Sequence, residues 1–296
     1  MKANRKMMIL IGAVTSLATL APVGAAAAGP TGAPPAVADQ AAYATVNGLR
    51  MYYEERGSGP PLVLLHGGGS TAQTSFGAII PTLARTHQVI APEQQAHGHS
   101  GDRQGPLSFE QMADDTAALL AHLGVAQADV LGFSNGGVVA MQLAIRHPRL
   151  VRRLIVCSSY YAHSGMPPQF WQGFGHATMA DMPPALRAAF VAAAPNAADV
   201  PVRFAKQVAL MQSFRDLPDA ALRGIAVKAL VMVGDRDVMS VEHAAQLARL
   251  LPHAELAVMP GSAHGTYLGA AEAARPGSPL VGLALTTMEA FLTGEL

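Results

Sequence analysis

The sequence predicts an α/β protein: a mostly parallel, twisted sheet flanked by helices, with a helical segment inserted before the last strands. Three observations lead there. From Tyr43 onward, short apolar runs alternate with longer runs of helical spacing, the rhythm of a buried parallel sheet. At Gly132-Phe133-Ser134-Asn135-Gly136 an apolar run meets a helix-like run across two glycines, so a strand must turn sharply into a helix. Between Ser158 and Leu222 no strand-like run occurs, and prolines at 167, 168, 183, 184, 195, 201 and 218 divide the segment into short helical pieces.

The elements follow in order. Lys2, Arg5 and Lys6 precede an apolar run, Met7 to Leu20, and Ala26-Ala27-Ala28 supplies an A-x-A site. These three parts read as a signal peptide over residues 1–28, which implies export to a periplasm or out of the cell. The apolar run falls short of the roughly 20 residues of a spanning helix, so no stable membrane anchor is expected after cleavage. Residues 29–42 are rich in Pro, Gly and Ala and read as a disordered leader. Tyr43–Val46 and Leu49–Glu54 flank Asn47-Gly48, a hairpin signal. Then come a strand at 61–65, a helix near Gln73–Arg85, a strand at Gln88–Ala91, and a helix from Phe109 to Leu123, with Ser108 and Gln111 as a capping box. Asp129-Val130-Leu131 is the strand before the glycine turn, and Val138–His147 the helix after it. The strand ending at Cys157 leads into the insertion. A strand at Lys228–Val233, a helix at Val241–Leu251 and a strand at Glu255–Met259 complete the pattern. The core is thus expected over 43–157 and 223–296, with a helical cap over 158–222.

Composition narrows the function. Twenty basic residues balance twenty acidic ones, and no basic run occurs, so nucleic acid is not an expected partner. Cys157 is the only cysteine, which rules out an intramolecular disulfide; its place at the end of an apolar strand suits a buried small hydrophobe. His97 and His99 with Glu93 suggest a metal site, but no third and fourth ligand stands at a suitable spacing, so neither metal nor other cofactor is expected. His122, His147 and His243 fall on predicted helices or their ends and read as surface or capping residues.

The chemistry lies at strand ends. Ser134 occupies the turn between strand and helix, where its hydroxyl is lifted clear of the sheet and the helix N-terminus aims N–H groups beside it. A serine needs a base, and the base an orienting carboxylate. Gly234-Asp235-Arg236-Asp237 follows one strand, and Gly261-Ser262-Ala263-His264-Gly265 follows the next. His66-Gly67-Gly68-Gly69 follows an earlier strand, and its free N–H groups suit a substrate oxygen. An oxyanion hole would combine the N–H of Asn135 with that of Gly68.

These segments, HGGGS (66–70), HGHSGD (97–102), GFSNGG (132–137), GDRD (234–237) and GSAHG (261–265), together resemble those of capped α/β-hydrolases, in that family's order, over residues 43–296. The resemblance implies an α/β-hydrolase fold and a Ser134–His264–Asp237 triad, the acid placed by the family's G-x-x-D pattern. Asp235 stays open as the alternative acid, or as a brace for the turn. His66 is expected to be structural. A serine at position 134 argues against similar haloalkane dehalogenases and epoxide hydrolases, which carry aspartate there.

The expected function is an exported serine hydrolase acting on a small apolar carboxylic ester or lactone. Trp171, Phe170, Phe174 and Met211 of the cap are the expected substrate contacts. A carbon–carbon bond hydrolase, a cofactor-free perhydrolase and a non-catalytic ligand-binding relative are the alternatives. The substrate and the oligomeric state are not fixed by the residues.

Overall fold

A computed structural model describes residues 39–296. The signal peptide read over 1–28, and the leader up to residue 38, lie outside the described residues. The chain forms β1 (Gln40–Val46), β2 (Leu49–Arg56), β3 (Pro61–Leu65), α1 (Ala72–Phe76), α2 (Ile80–Leu83), β4 (Gln88–Pro92), α3 (Phe109–His122), β5 (Ala128–Phe133), α4 (Asn135–Arg146) and β6 (Val151–Cys157). Then follow α5 (Pro168–Gly173), α6 (Pro184–Ala192), α7 (Val200–Gln212), α8 (Asp219–Arg223), β7 (Lys228–Gly234), α9 (Val241–Leu250), β8 (Ala254–Met259) and α10 (Leu280–Thr293).

The eight strands make one sheet in the order β1-β2-β4-β3-β5-β6-β7-β8. β1, β2 and β4 pair antiparallel, and every pairing from β4 through β8 is parallel. The β3 side chains explain the layering. Val63 and Leu65 pack with α3, α4 and α9, while Leu62 and Leu64 face α1, α2 and α10. Both faces are covered, which is why the central strands read as continuous apolar runs.

Asn47 and Gly48 both have positive φ, 49° and 76°, as a tight two-residue hairpin turn requires. Several expectations need correction. β1 begins at Gln40, so residues 40–42 belong to the sheet and not to the leader. The helix expected over 73–85 is two short ones, because Pro81 has no N–H to continue α1 across Gly77. Ser108 caps α3 by accepting from the Gln111 N–H, but the box is not reciprocal: the Gln111 amide bonds Asp115 instead. His243 is neither surface nor cap. It is buried in α9, stacked on Tyr161 at 4.3 Å, and its Nε2 accepts from the Tyr161 N–H at 3.2 Å.

Between Cys157 and Lys228 the chain leaves the sheet and builds four helices. The prolines there are starters as much as breakers: Pro168 and Pro184 open α5 and α6, and Pro201 sits in the first turn of α7. α8 runs one residue past the expected cap boundary. α7 is fastened to the core by Arg203, 3% exposed, whose guanidinium donates to the carbonyls of Ala96, Gly98 and Ser100. Beside it, Lys206 reaches Asp102, and Gln207 donates to Ala96 O. Among the described residues no helix is long and apolar enough to cross a membrane.

Candidate active site

Ser134 stands between β5 and α4 at φ 54°, ψ −120°, a conformation that L-residues avoid at a cost of about 1–3 kcal/mol. Its neighbours hold it there. The Ser134 N–H donates to Cys157 O at 3.0 Å, and its own carbonyl accepts from the Gly137 N–H and the Ser159 hydroxyl. The glycines are steric necessities. A Cβ on Gly132 would lie 2.2 Å from Gly136 O, and one on Gly136 would lie 1.9 Å from Leu65 O. The spacing of small residues around the serine thus comes from backbone crossing backbone at van der Waals contact.

The loop after β3 is ordered by His66. Its Nε2 accepts from the Gln94 N–H at 3.0 Å and its Nδ1 donates to Gly67 O at 2.8 Å, so the buried ring is satisfied as the neutral form, and burial lowers its pKa. The Gly67 N–H is spent on Ser75 Oγ. The Gly68 N–H has no acceptor among the described residues. Asn135, first residue of α4, likewise has an N–H without an intrahelical acceptor. Both residues line one cavity with Ser134.

Two carboxylates follow β7, and the geometry separates them. Asp237, its side chain fully buried, accepts from His264 Nδ1 at 2.9 Å, from Ser158 Oγ at 2.5 Å and from the Met239 N–H at 3.3 Å. Burial pushes its pKa up, but the hydrogen bond and charge of His264, with the Ser158 and Met239 donors, outweigh it and hold it below the ordinary value. Asp235 is exposed and accepts from the Ser262 N–H at 3.0 Å, bracing the loop that carries His264. Asp237 is therefore the partner of the histidine, and Asp235 the brace.

His264 lies against the Phe133 ring at 4.8 Å and lines the same cavity as Ser134. No hydrogen bond joins the Ser134 hydroxyl to His264 among the described residues.

The cavity measures about 610 Å³, the size of a small-molecule site. Of the four cap residues read as substrate contacts, Phe170, Phe174 and Met211 line it. Trp171 does not. It stacks on Phe214 at 5.5 Å, and its indole N–H bonds His163 O, so it packs the cap instead of facing the cavity. His97 and His99 also part company. His97 turns inward beside His66 and bonds Gln95 O, its pKa lowered to about 3 by burial and by the neighbouring His66. His99 pairs with Glu93 at 2.9 Å. Among the described residues no three His, Cys, Asp or Glu side chains gather to hold a metal ion.

The family model described as "alpha/beta hydrolase fold" matches residues 60–196. The enol-lactonase of Burkholderia xenovorans LB400 superposes with a TM-score of 0.70 over 85% of this chain and 99% of its own, at 23% identity. The chain has the α/β-hydrolase fold. A structure of Est816, described as an N-acyl homoserine lactone degrading enzyme, has a TM-score of 0.65 at 27% identity, covering 84% of this chain and 99% of that one. A 2-hydroxymuconate semialdehyde hydrolase of Pseudomonas sp. (strain CF600) is 37% identical over 116 residues, which are 38% of this chain and 41% of that protein. The chain spans under half the length of the curated relatives it matches.

Two residues of this α/β-hydrolase site are invisible to a motif reading. Ser158, at φ 46° just past β6, donates to Asp237 and exchanges a 2.9 Å hydrogen bond with the buried Tyr267 hydroxyl. Tyr160, two residues on, donates to Asn135 Oδ1. A run of polar side chains, Ser158-Ser159-Tyr160, directly after an apolar strand is the one sequence signal that points to them.

Proposed function

We propose that this chain is a serine hydrolase of carboxylic esters or lactones. The arrangement that carries the reading is Ser134, held at a strained turn, sharing an apolar cavity with a histidine bonded to a buried carboxylate. In this reading Ser134 Oγ attacks the carbonyl carbon while His264 accepts its proton. Asp237 holds the imidazole with Nδ1–H turned toward itself and stabilises the imidazolium. The N–H groups of Gly68 and Asn135 receive the oxyanion; each such donor contributes about 3–4 kcal/mol. His264 then protonates the leaving alkoxide, and a water deprotonated by His264 releases the acyl group from Ser134.

Similar proteins named as a 2-hydroxymuconate semialdehyde hydrolase and a 2-hydroxy-6-oxo-6-phenylhexa-2,4-dienoate hydrolase support a second reading, hydrolysis of a carbon–carbon bond in a dienoate. Such a substrate carries a carboxylate that needs a countercharge. No Arg or Lys is among the described residues lining the cavity; its titratable groups are Tyr160, His176, Asp181 and His264. Burying an unpaired carboxylate in apolar surroundings costs several kcal/mol, so a neutral substrate fits better. Perhydrolysis would use the same serine.

The deciding experiment treats the wild type and Ser134→Ala with a fluorophosphonate and records intact mass, alongside turnover of p-nitrophenyl esters. One adduct on the wild type, none on the variant, and ester turnover lost with the serine are the expected results. Turnover undiminished in the variant defeats the reading, and turnover of a dienoate ketone without ester turnover replaces it. We also infer export: protein recovered outside the cytoplasm is expected to begin near Gly29, and an intact Met1 in that fraction would refute it.

A further inference from the structure

The side chain of Asn135 has a geometry that its backbone N–H leaves unused. Its carboxamide lies across the loop after β3: a Cβ on Gly68 would stand 2.6 Å from Asn135 Nδ2. Tyr160, 1% exposed, donates its hydroxyl proton to Asn135 Oδ1 at 2.9 Å and so fixes which way the amide faces. The only acceptor that Nδ2 meets among the described residues is the Met211 thioether, at 3.4 Å. Sulfur is a weak acceptor, and an amide NH2 carries two donors. At least one N–H therefore faces the cavity unspent, beside Ser134 and the Gly68 N–H. The cavity wall also carries apolar Met182, Phe204 and Val208, and of its polar groups Thr178, Asp181 and Gln207 none accepts a hydrogen bond from Nδ2. A donor held in such surroundings costs free energy until a ligand brings an acceptor.

We propose that the Asn135 carboxamide, locked by Tyr160, is a specificity-determining donor for a second substrate oxygen close to the scissile carbonyl. Substrates with an ether, acyl or acylamino oxygen at that place are then preferred over plain alkyl esters. This rests on the ester-hydrolase reading above. The apolar remainder of the cavity takes the hydrocarbon part of the same molecule.

The test uses isosteric pairs, each exchanging one methylene for oxygen. On the acyl side the pair is p-nitrophenyl butyrate and p-nitrophenyl methoxyacetate; on the alcohol side it is butyl butanoate and 2-methoxyethyl butanoate, followed by titration of released acid. Each kcat/KM ratio is divided by the ratio for hydroxide-catalysed hydrolysis, which removes intrinsic reactivity. The wild type is expected to favour the oxygenated member of at least one pair by about tenfold, the upper range for one neutral hydrogen bond. Asn135→Ala is expected to bring that ratio near unity, whatever happens to the absolute rates. Tyr160→Phe, which keeps the ring and removes only the hydroxyl, is expected to lower it too, and it serves where Asn135→Ala does not fold. A loss of packing alone would slow both members alike and leave the ratio unmoved. A wild type without preference in either pair, or a preference that survives both substitutions, overturns the proposal while leaving the hydrolase reading intact. Turnover of none of the four esters by folded wild type overturns the hydrolase reading itself, and this one with it.

Discussion

Replacing His243 with glutamine isolates a pH dependence built into the junction of cap and core. The ring lies between Tyr161, just past β6, and Gly165, whose Cβ, if it had one, would lie 2.6 Å from the imidazole. Nε2 accepts from the Tyr161 N–H, so the neutral ring carries its proton on Nδ1, which is buried without a partner. Protonation would put two N–H groups face to face and bury a charge. Burial lowers the His243 pKa from 6.5 to about 4, against a smaller opposing pull from Asp216. The unfolded chain therefore binds more protons than the folded one between pH 6.5 and 4, so stability is full above 6.5 and is lost as pH falls toward 4. From pH 7.5 to 5 this one group removes about 2 kcal/mol. His243→Gln keeps an acceptor for the Tyr161 N–H but cannot titrate. Urea unfolding at several pH values is expected to show a stability difference between wild type and variant that shifts by about 2 kcal/mol in the variant's favour from pH 7.5 to 5. Curves that run parallel over that range would refute the reasoning.

Two further substitutions probe the turn and the acid. Gly136→Ala drives a Cβ into Leu65 O and is expected to cost about 3 kcal/mol or more, whereas Gly282→Ala, exposed on α10 with nothing within 4 Å, is expected to stabilise by about 0.5 kcal/mol. Thermal melts of the two variants compare them directly, and equal melts would disprove the steric account. Ser158→Gly suits the positive φ but removes a donor to buried, ionised Asp237; a loss of about 1.5–3 kcal/mol at neutral pH is expected, closing as acid protonates the carboxylate. Denaturant titration at pH 7 and in acid checks both size and sign.

The sheet was legible because its strands are buried on both faces and so write themselves as apolar runs. The serine turn was legible because Gly132 and Gly136 are forced by backbone contact, and such contacts leave glycines in the sequence. Other features depend on distances that no local pattern encodes. Asp235 and Asp237 share one turn, and only the approach of His264 from the loop after β8 tells them apart. His243 sits at a helical position that suits a cap equally well; its burial comes from Tyr161, 82 residues away in the chain. Trp171 reads like its neighbours Phe170 and Phe174, yet the stacking partner Phe214 draws it out of the cavity. Ser158 and Tyr160 carry no motif, because their roles consist in reaching other side chains.

The three carbonyl bonds of Arg203 have a consequence for how this molecule can diversify. They bolt α7 to the loop at 96–100, so one wall of the chamber moves with the sheet. α5 and α6 are more lightly rooted: α5 buries no residue and α6 only Leu186 and Phe190. Residues 168–192 therefore form an exchangeable panel. Substitutions, insertions or a wholesale swap there can redraw the outline of what is admitted, while the serine turn and the bolted helix keep their places.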